Sequence, residues 1–348
     1  MKNVIIALAV TLAVIGSAAA APVVTVIGVI SATKDAVGFI DDSIKTVDRK
    51  DTDYVVDVRN VPEPEKIDVS EEEYEELTVA TDYAQEPSES TPIYKEDQKD
   101  EKKINLLLFV SDPFDLFPAD IKGGTTLVTF DLNSKKIKAA TINNDLYVPI
   151  DGHGWNRLGA AYEYGGIGMY INTVNEVFDL DIQYYAFVDM TYSNELVDWA
   201  GGIDIELTEN VVDFYKGKYD YTVGMNHLNG EQFTDLIKNR KEFEHDLNSI
   251  DKESLTGALK NVNADSVVSL LKAVSNLLKT NVKLSLLVKL IPMATSLVDN
   301  IKMFDRYDPF NDCKKAIVSI EETGERISVM LMENIEQIRK IFKEKIYG

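Results

Sequence analysis

Two stretches hold the residue types that could do chemistry. Thr141-Ile142-Asn143-Asn144-Asp145-Leu146-Tyr147-Val148 places a carboxylate and two amides just ahead of an apolar run. Arg157-Leu158-Gly159-Ala160-Ala161-Tyr162-Glu163-Tyr164-Gly165-Gly166 opens on a guanidinium. Lys238, Arg240 and Lys252 are further cations downstream. With Arg157 they can hold an anion, and surface ion pairing is their ordinary alternative use. Asp145 taken alone reads as a turn aspartate ahead of a strand. Other chemistries find no footing. There is no Gly-x-Ser-x-Gly nucleophile elbow and no phosphate-cradling glycine loop. His153, His227 and His245 are scattered without zinc-ligand spacing. Cys313 is the single cysteine, so no intramolecular disulfide can form.

The chain must position these groups with 348 residues, 45% hydrophobic and 27% charged, enough for one large domain plus accessory segments. Formal net charge is −22. A nucleic-acid partner is excluded on that ground, because phosphate-backbone affinity needs clustered lysine and arginine. Residues 4–30 are almost wholly apolar, with Thr11, Ser17 and Thr25 as uncharged interruptions. About 20 such residues cross a bilayer. Residues 1–33 are therefore expected to be a single-pass membrane anchor with the domain outside the cytoplasm. A cleaved signal peptide, ending near Ser17-Ala18-Ala19-Ala20-Ala21, is the alternative and would give a secreted protein. Residues 34–101 carry 22 acidic against 8 basic side chains. Such a block has too little apolar content for a core, so residues 34–102 are expected to form an extended acidic stalk. One short strand at Tyr54–Val58 is expected to dock on the domain.

The remaining residues, 103–348, read as the domain. Ile104–Val110 is an apolar run but for Asn105, suited to a buried central strand. Thr126–Leu132 and Ile137–Ile142 flank a polar turn and predict a hairpin. Helices are expected over Arg157–Tyr164, Ile167–Phe178, Ser193–Ala200 and Glu231–Lys241, with strands at Tyr184–Asp189 and Ile203–Leu207. Gly201-Gly202 suits a left-handed helix stop. Residues 254–300 predict several helices. Ala316–Ile320 and Ile327–Met332 predict a hairpin around Gly324, and Asn334–Lys345 an amphipathic helix. The pattern points to an α/β fold of the α-β-α sandwich type, with a central mixed β-sheet flanked by helices.

The two opening stretches resemble the signature of the LytR-CpsA-Psr family of cell-envelope proteins, Ser-Ile-Pro-Arg-Asp-Thr-Tyr-Val and Lys-Ile-Asn-Ala-Ala-Tyr-x-x-Gly-Gly. Asn105-Leu106-Leu107-Leu108-Phe109-Val110-Ser111-Asp112, Val188-Asp189-Met190, Val197-Asp198-Trp199-Ala200-Gly201-Gly202-Ile203-Asp204-Ile205 and Leu228-Asn229-Gly230-Glu231-Gln232 are similar to further family motifs in the same order. The resemblance spans about residues 103–348. It implies transfer of a phosphoglycosyl polymer from an undecaprenyl-pyrophosphate carrier to peptidoglycan or a wall protein. Such phosphoryl transfer uses arginines around the pyrophosphate and a magnesium ion held by aspartates.

By the resemblance, Asp145, Lys238 and Arg240 are the catalytic candidates, with Asp145 also the metal ligand. Arg157, Lys252 and Asn144 are the phosphate-binding candidates. Tyr170, Val174, Phe178, Val267 and Leu271 are the candidate lining of a lipid pocket, with packed core as the alternative. Several family positions differ. Asn144 replaces an arginine, Thr125 an aspartate, Gly123 and Ser249 arginines, Lys238 an arginine and Gly159 an asparagine. Phe114 falls where an arginine often stands, and Glu253 where a neutral amide is usual. Losing one guanidinium at such a site can lower the rate by about 10³, and lysine does not reproduce a bidentate fork. Magnesium binding is expected to be poor with Thr125 in place of the second carboxylate. The activity is expected to be weakened or lost, and the alternative is a non-catalytic polyprenyl-lipid or glycopolymer-binding scaffold that modulates an active paralogue.

Overall fold

The computed structural model describes residues 46–48, 70, 74, 77, 91–95, 102–111, 124–189, 193–199, 201–239, 242, 278–282, 286, 304–307, 309–310, 312–320 and 323–346. Along the chain these form β1 (Thr46–Asp48), β2 (Ile93–Lys95), β3 (Lys103–Ser111), β4 (Gly124–Asp131), β5 (Lys136–Asn143), β6 (Tyr147–Ile150), β7 (Gly154–Arg157) and α1 (Ala160–Phe178). Then follow β8 (Tyr184–Asp189), α2 (Ser193–Trp199), β9 (Ile203–Leu207), α3 (Glu209–Phe214), β10 (Gly224–Leu228) and α4 (Gly230–Asn239). β11 (Leu278–Thr280), β12 (Phe304–Tyr307), β13 (Lys314–Ser319), β14 (Arg326–Leu331) and α5 (Ile335–Ile341) complete the order, with a π turn at Phe342–Ile346.

A six-stranded sheet, ordered β11-β8-β3-β4-β5-β12, is the frame. It is mixed: β3 runs parallel to β8 and antiparallel to β4, and β12 runs parallel to β5. From Ile104 to Phe109, β3 is apolar but for Asn105 and buried on both faces, as a central strand in a sandwich requires. Leu107, Phe109, Leu127, Ala140 and Ile142 face α1, where Tyr162, Tyr170, Ile171, Val174 and Phe178 complete the main core. The α/β sandwich with a mixed central sheet agrees with the sequence reading. Asn105 ties the layers: its Nδ2 donates to Asp181 at 2.7 Å and its Oδ1 accepts from Thr129 at 2.7 Å. This buried network is satisfied, so it fixes register without an orphaned group.

Two smaller units pack beside this frame. Val197, Ile203, Ile205, Leu207, Val211, Leu228, Phe233 and Leu236 form a second cluster from α2, β9, α3, β10 and α4. Gly201 and Gly202 take φ of 84° and 107° between α2 and β9, so the expected stop is where the chain turns. The third cluster joins Tyr147 of β6 to Val318, Ile327 and Val329 of the β13–β14 hairpin.

The structure corrects several boundaries. Residues 157–159 are not helical: Arg157 ends β7, paired with Tyr147, and α1 begins at Ala160. The Leu158, Ala161, Tyr162 spacing has helical period, but the Tyr147 partner captures Arg157 first. Leu278, counted with a helical pattern, lies in β11 and pairs with Val188. Most of residues 254–300, and the Tyr54–Val58 strand, lie outside the described residues. Within the segment read as a stalk, Ile93 is fully buried in the main core and Tyr94 N–H donates to Asn172 Oδ1 at 2.8 Å.

The Gly165-Gly166 pair kinks α1. Gly165 lies against Thr91, and an added Cβ would come within 2.3 Å of Thr91 Oγ1. Gly166 has φ 66° and ψ −160°, a conformation open to glycine alone. Gly166→Ala should therefore destabilise the domain by about 1–3 kcal/mol. Urea unfolding reads this, and an unchanged midpoint would contradict the strain argument.

Candidate functional site

The loop between β5 and β6 carries the acidic end of the site. Asn143 Oδ1 accepts from Asp145 N–H at 2.8 Å, an Asx turn that follows from the Asn-Asn-Asp sequence. Outside contacts then clamp the loop. Met330 N–H donates to Asp145 O at 2.7 Å, Leu158 N–H to Leu146 O at 2.8 Å, and Gly159 N–H to Asn144 O at 2.9 Å. The loop is thus held between β14 and the start of α1. Asp145 is half-buried. Its carboxyl is pushed above the ordinary value by burial, and the Arg157 charge only partly offsets this.

Asn144 points inward and is 4% exposed. Its Oδ1 accepts from the Tyr170 hydroxyl at 2.7 Å, while its buried Nδ2 has no partner. An amide in this setting carries no charge to a phosphate.

Arg157 is also half-buried. Its Nε donates to Ser328 O at 2.7 Å and its Nη2 to Leu77 O at 2.5 Å. Burial lowers its proton affinity, and Asp145, Tyr74, Glu325 and Glu163 counteract that through their charges. Its guanidinium therefore sits among carboxylates and is committed to backbone carbonyls. The described residues bring Asp145, Asn144 and Arg157 to one place.

Of the other candidates, Tyr170 meets this place through Asn144, and the rest lie elsewhere in the fold or outside the described residues. Lys238 is exposed near the end of α4, in the second apolar unit. Arg240 and Lys252, the family-position residue Ser249, and Val267 and Leu271 lie outside the residues whose side chains are described. Tyr170, Val174 and Phe178 are enclosed in the main core, each at most 1% exposed. Tyr170 packs edge-on against Phe109 at 5.3 Å, and Phe178 against Phe310 and Phe342 at 5.5 and 5.4 Å.

Among the described residues the donor set offers a poor fit to magnesium. Thr125 is fully buried on β4 and supplies no carboxylate. Among the described residues no group of three or more His, Cys, Asp or Glu side chains is placed to hold a metal ion. The charge that acts on Asp145 among the described residues is the Arg157 guanidinium, which disfavours a cation there. The described histidines have other duties. His153 stacks on Tyr164 at 4.0 Å, and His227 bridges Asp204 Oδ1 at 2.7 Å and Gly201 O at 2.8 Å.

Tyr74 is the residue that sequence reasoning missed. Its sequence surroundings read as an acidic stalk, yet its hydroxyl donates to Val329 O at 3.1 Å beside Asp145 and Arg157. Its signal was a lone aromatic within a run of glutamates.

The model of the LytR_cpsA_psr family matches residues 72–333. The chain belongs to the LytR-CpsA-Psr family. A similar relative is the polyisoprenyl-teichoic acid–peptidoglycan teichoic acid transferase TagT of Bacillus subtilis, 26% identical over 206 residues, 57% of this chain and 59% of that protein. The transferase TagU of Bacillus cereus is 27% identical over 229 residues, 64% of this chain and 69% of its own. The match to TagT thus spans about three-fifths of that relative's length. A solved structure of YwtF (TagT) with bound octaprenyl pyrophosphate lipid is 20% identical, with a TM-score of 0.40, covering 77% of this chain and 99% of its own. The match from residue 72 onward takes in Tyr74, Leu77 and Ile93, all inside the segment read as a stalk.

Proposed function

We propose that this LytR-CpsA-Psr protein is anchored in a bacterial cell membrane, faces outward, and binds a polyprenyl-pyrophosphate-linked glycopolymer, with transfer to peptidoglycan or wall protein weakened or lost. The observation that carries the proposal is the state of the signature loop. Its backbone is held in place by Met330, Leu158 and Gly159, while its arginine position holds a buried, uncharged Asn144 bonded to Tyr170. The scaffold is kept and the charge is not. Transition-state stabilisation in phosphoryl transfer is electrostatic, so the charge is the part that the rate depends on. Ground-state binding can lean on the lipid and sugar portions instead.

The same loop supports a second reading, a non-catalytic scaffold that holds the lipid-linked polymer for an active paralogue. Both readings require the ligand. The full chain in detergent, titrated with a polyprenyl pyrophosphate, should bind it, and failure to bind would defeat both. The apolar run at residues 4–30 supports the anchor. Protease added to intact spheroplasts should digest the domain, whereas protection would contradict the outward orientation. No helix among the described residues is long and apolar enough to cross a membrane, and residues 4–30 lie outside them.

A further inference from the structure

Tyr74 sits between Glu71-Glu72-Glu73 and Glu75-Glu76. Such a sequence favours a solvated chain, yet the Tyr74 side chain is only 7% exposed. Contacts with the β13–β14 hairpin hold it there. Its hydroxyl donates to Val329 O on β14. The ammonium of Lys315, on β13, lies 4.9 Å from its ring centroid, within cation–π range. Three residues on, Leu77 O accepts from Arg157 Nη2. Burial, and then the Asp145 charge, push the Tyr74 hydroxyl up to about 12, so it stays a neutral donor at physiological pH.

The consequence falls on Arg157. A guanidinium offers five N–H donors in a planar fork and holds a phosphate best through two parallel bonds. Here Nε is committed to Ser328 O and Nη2 to Leu77 O. Both donors of the Nε–Nη2 edge are therefore taken by the protein's own carbonyls. Ser328 lies inside β14, while Leu77 lies upstream of the central sheet in an acidic stretch. Of the two, the Leu77 contact is the one that can be given up without breaking the ladder.

We infer that the stretch carrying Tyr74 and Leu77 is a self-supplied cover on the Nε–Nη2 edge of Arg157, which the phosphate or pyrophosphate group of an anionic ligand must displace to take that edge. This rests on the proposed binding of a pyrophosphate-linked ligand and adds how access to it is controlled. An anion that takes the Nε–Nη2 edge must break the Leu77 contact. Ligand binding and cover release then favour one another reciprocally. With the cover closed, only the open fraction of molecules binds, and the apparent affinity falls by that fraction.

The test uses the full chain in detergent and two readouts. Phenylglyoxal, which modifies accessible guanidinium groups, reports Arg157 by peptide mass spectrometry without any ligand. Inorganic pyrophosphate, titrated calorimetrically, reports anion access. Tyr74→Ala should raise the Arg157 modification rate several-fold and tighten pyrophosphate binding by about tenfold if the closed state dominates. Tyr74→Ala empties a buried site and can lower stability, so Lys315→Gln is the second variant. Lys315 is exposed, and its loss removes the cation–π contact while leaving the core intact. It should shift both readouts in the same direction by a smaller factor. Equal Arg157 modification rates in the wild type and both variants would overturn the cover, whether or not polyprenyl pyrophosphate binds. Faster modification with no gain in pyrophosphate affinity would overturn its displacement by an anion.

Discussion

Arg157→Ala should destabilise the protein by about 2–4 kcal/mol, since hydrogen bonds from a charged group contribute ~1.5–3 kcal/mol each and two are lost. The partial exposure of the guanidinium keeps the figure below the full sum. Two effects add. The guanidinium bonds to Ser328 O and Leu77 O join β7 to β14 and to the upstream segment, and both are lost. Asp145 is also left without its opposite charge. Burial already outweighs attraction on both sides of this pair, since Asp145 is shifted up and Arg157 down. Removing the guanidinium pushes Asp145 further up. A carboxyl whose folded value is raised contributes most below its ordinary value near 3.8, and that contribution is lost as pH rises through the folded value. The Arg157→Ala deficit should therefore be smallest near pH 4 and grow toward neutrality. Urea unfolding at several pH values measures this. Adding Asp145→Asn to Arg157→Ala should recover part of the loss at neutral pH, because it removes the uncompensated charge. A deficit independent of pH would mean that the backbone bonds alone account for the effect.

The sequence made legible those elements whose partners are local or whose burial is complete. Ile104–Val110 could be read because a strand covered on both faces has no polar alternation. The Thr126–Ile142 hairpin could be read because its turn, Asn133-Ser134-Lys135-Lys136, is polar and short. Gly201-Gly202 and Gly324 marked real turns with positive φ. The β6–β7 hairpin was hidden. Its strands are four residues each, Pro149 breaks the expected strand composition, and its second strand runs directly into a helical apolar period. β11 was hidden because its pairing with β8 joins residues about ninety apart in sequence, which no local pattern reports. At the site, Asn144, Asp145 and Arg157 were legible through motif order, and the structure brings them together. Tyr74 and Leu77 were not, because an acidic stretch predicts solvation and only the tertiary partners Val329, Lys315 and Arg157 reverse that. Composition describes the average of a segment, whereas one buried aromatic within it is set by what it meets.

Transfer activity is the larger expected effect. Purified full-length protein, supplied with a polyprenyl-pyrophosphate-linked glycopolymer and a peptidoglycan acceptor, should turn over at least about 10³-fold more slowly than a family transferase that retains its arginines. Among the described residues, the uncharged side chain at position 144 has no ready substitute. Asn144 is enclosed against Tyr170, and the adjacent guanidinium of Arg157 is bound to carbonyls and surrounded by Asp145, Glu163 and Glu325. Rebuilding the set by Thr125→Asp, Asn144→Arg, Lys238→Arg and Ser249→Arg should restore phosphate and magnesium affinity before it restores turnover. Two of these positions are buried: Thr125 is fully enclosed and Asn144 nearly so. An arginine at 144 must therefore turn its side chain out of the Tyr170 contact, and an aspartate at 125 must gain water or a metal ion. The quadruple variant is expected to be less stable than the wild type, and adding Tyr170→Phe should ease the first conflict by removing the hydroxyl that holds residue 144 inward. Isothermal titration with magnesium and inorganic pyrophosphate separates restored binding from restored chemistry. Robust transfer by the wild-type protein would sink the weakened-activity reading, since Asp145 and the remaining cations would then suffice.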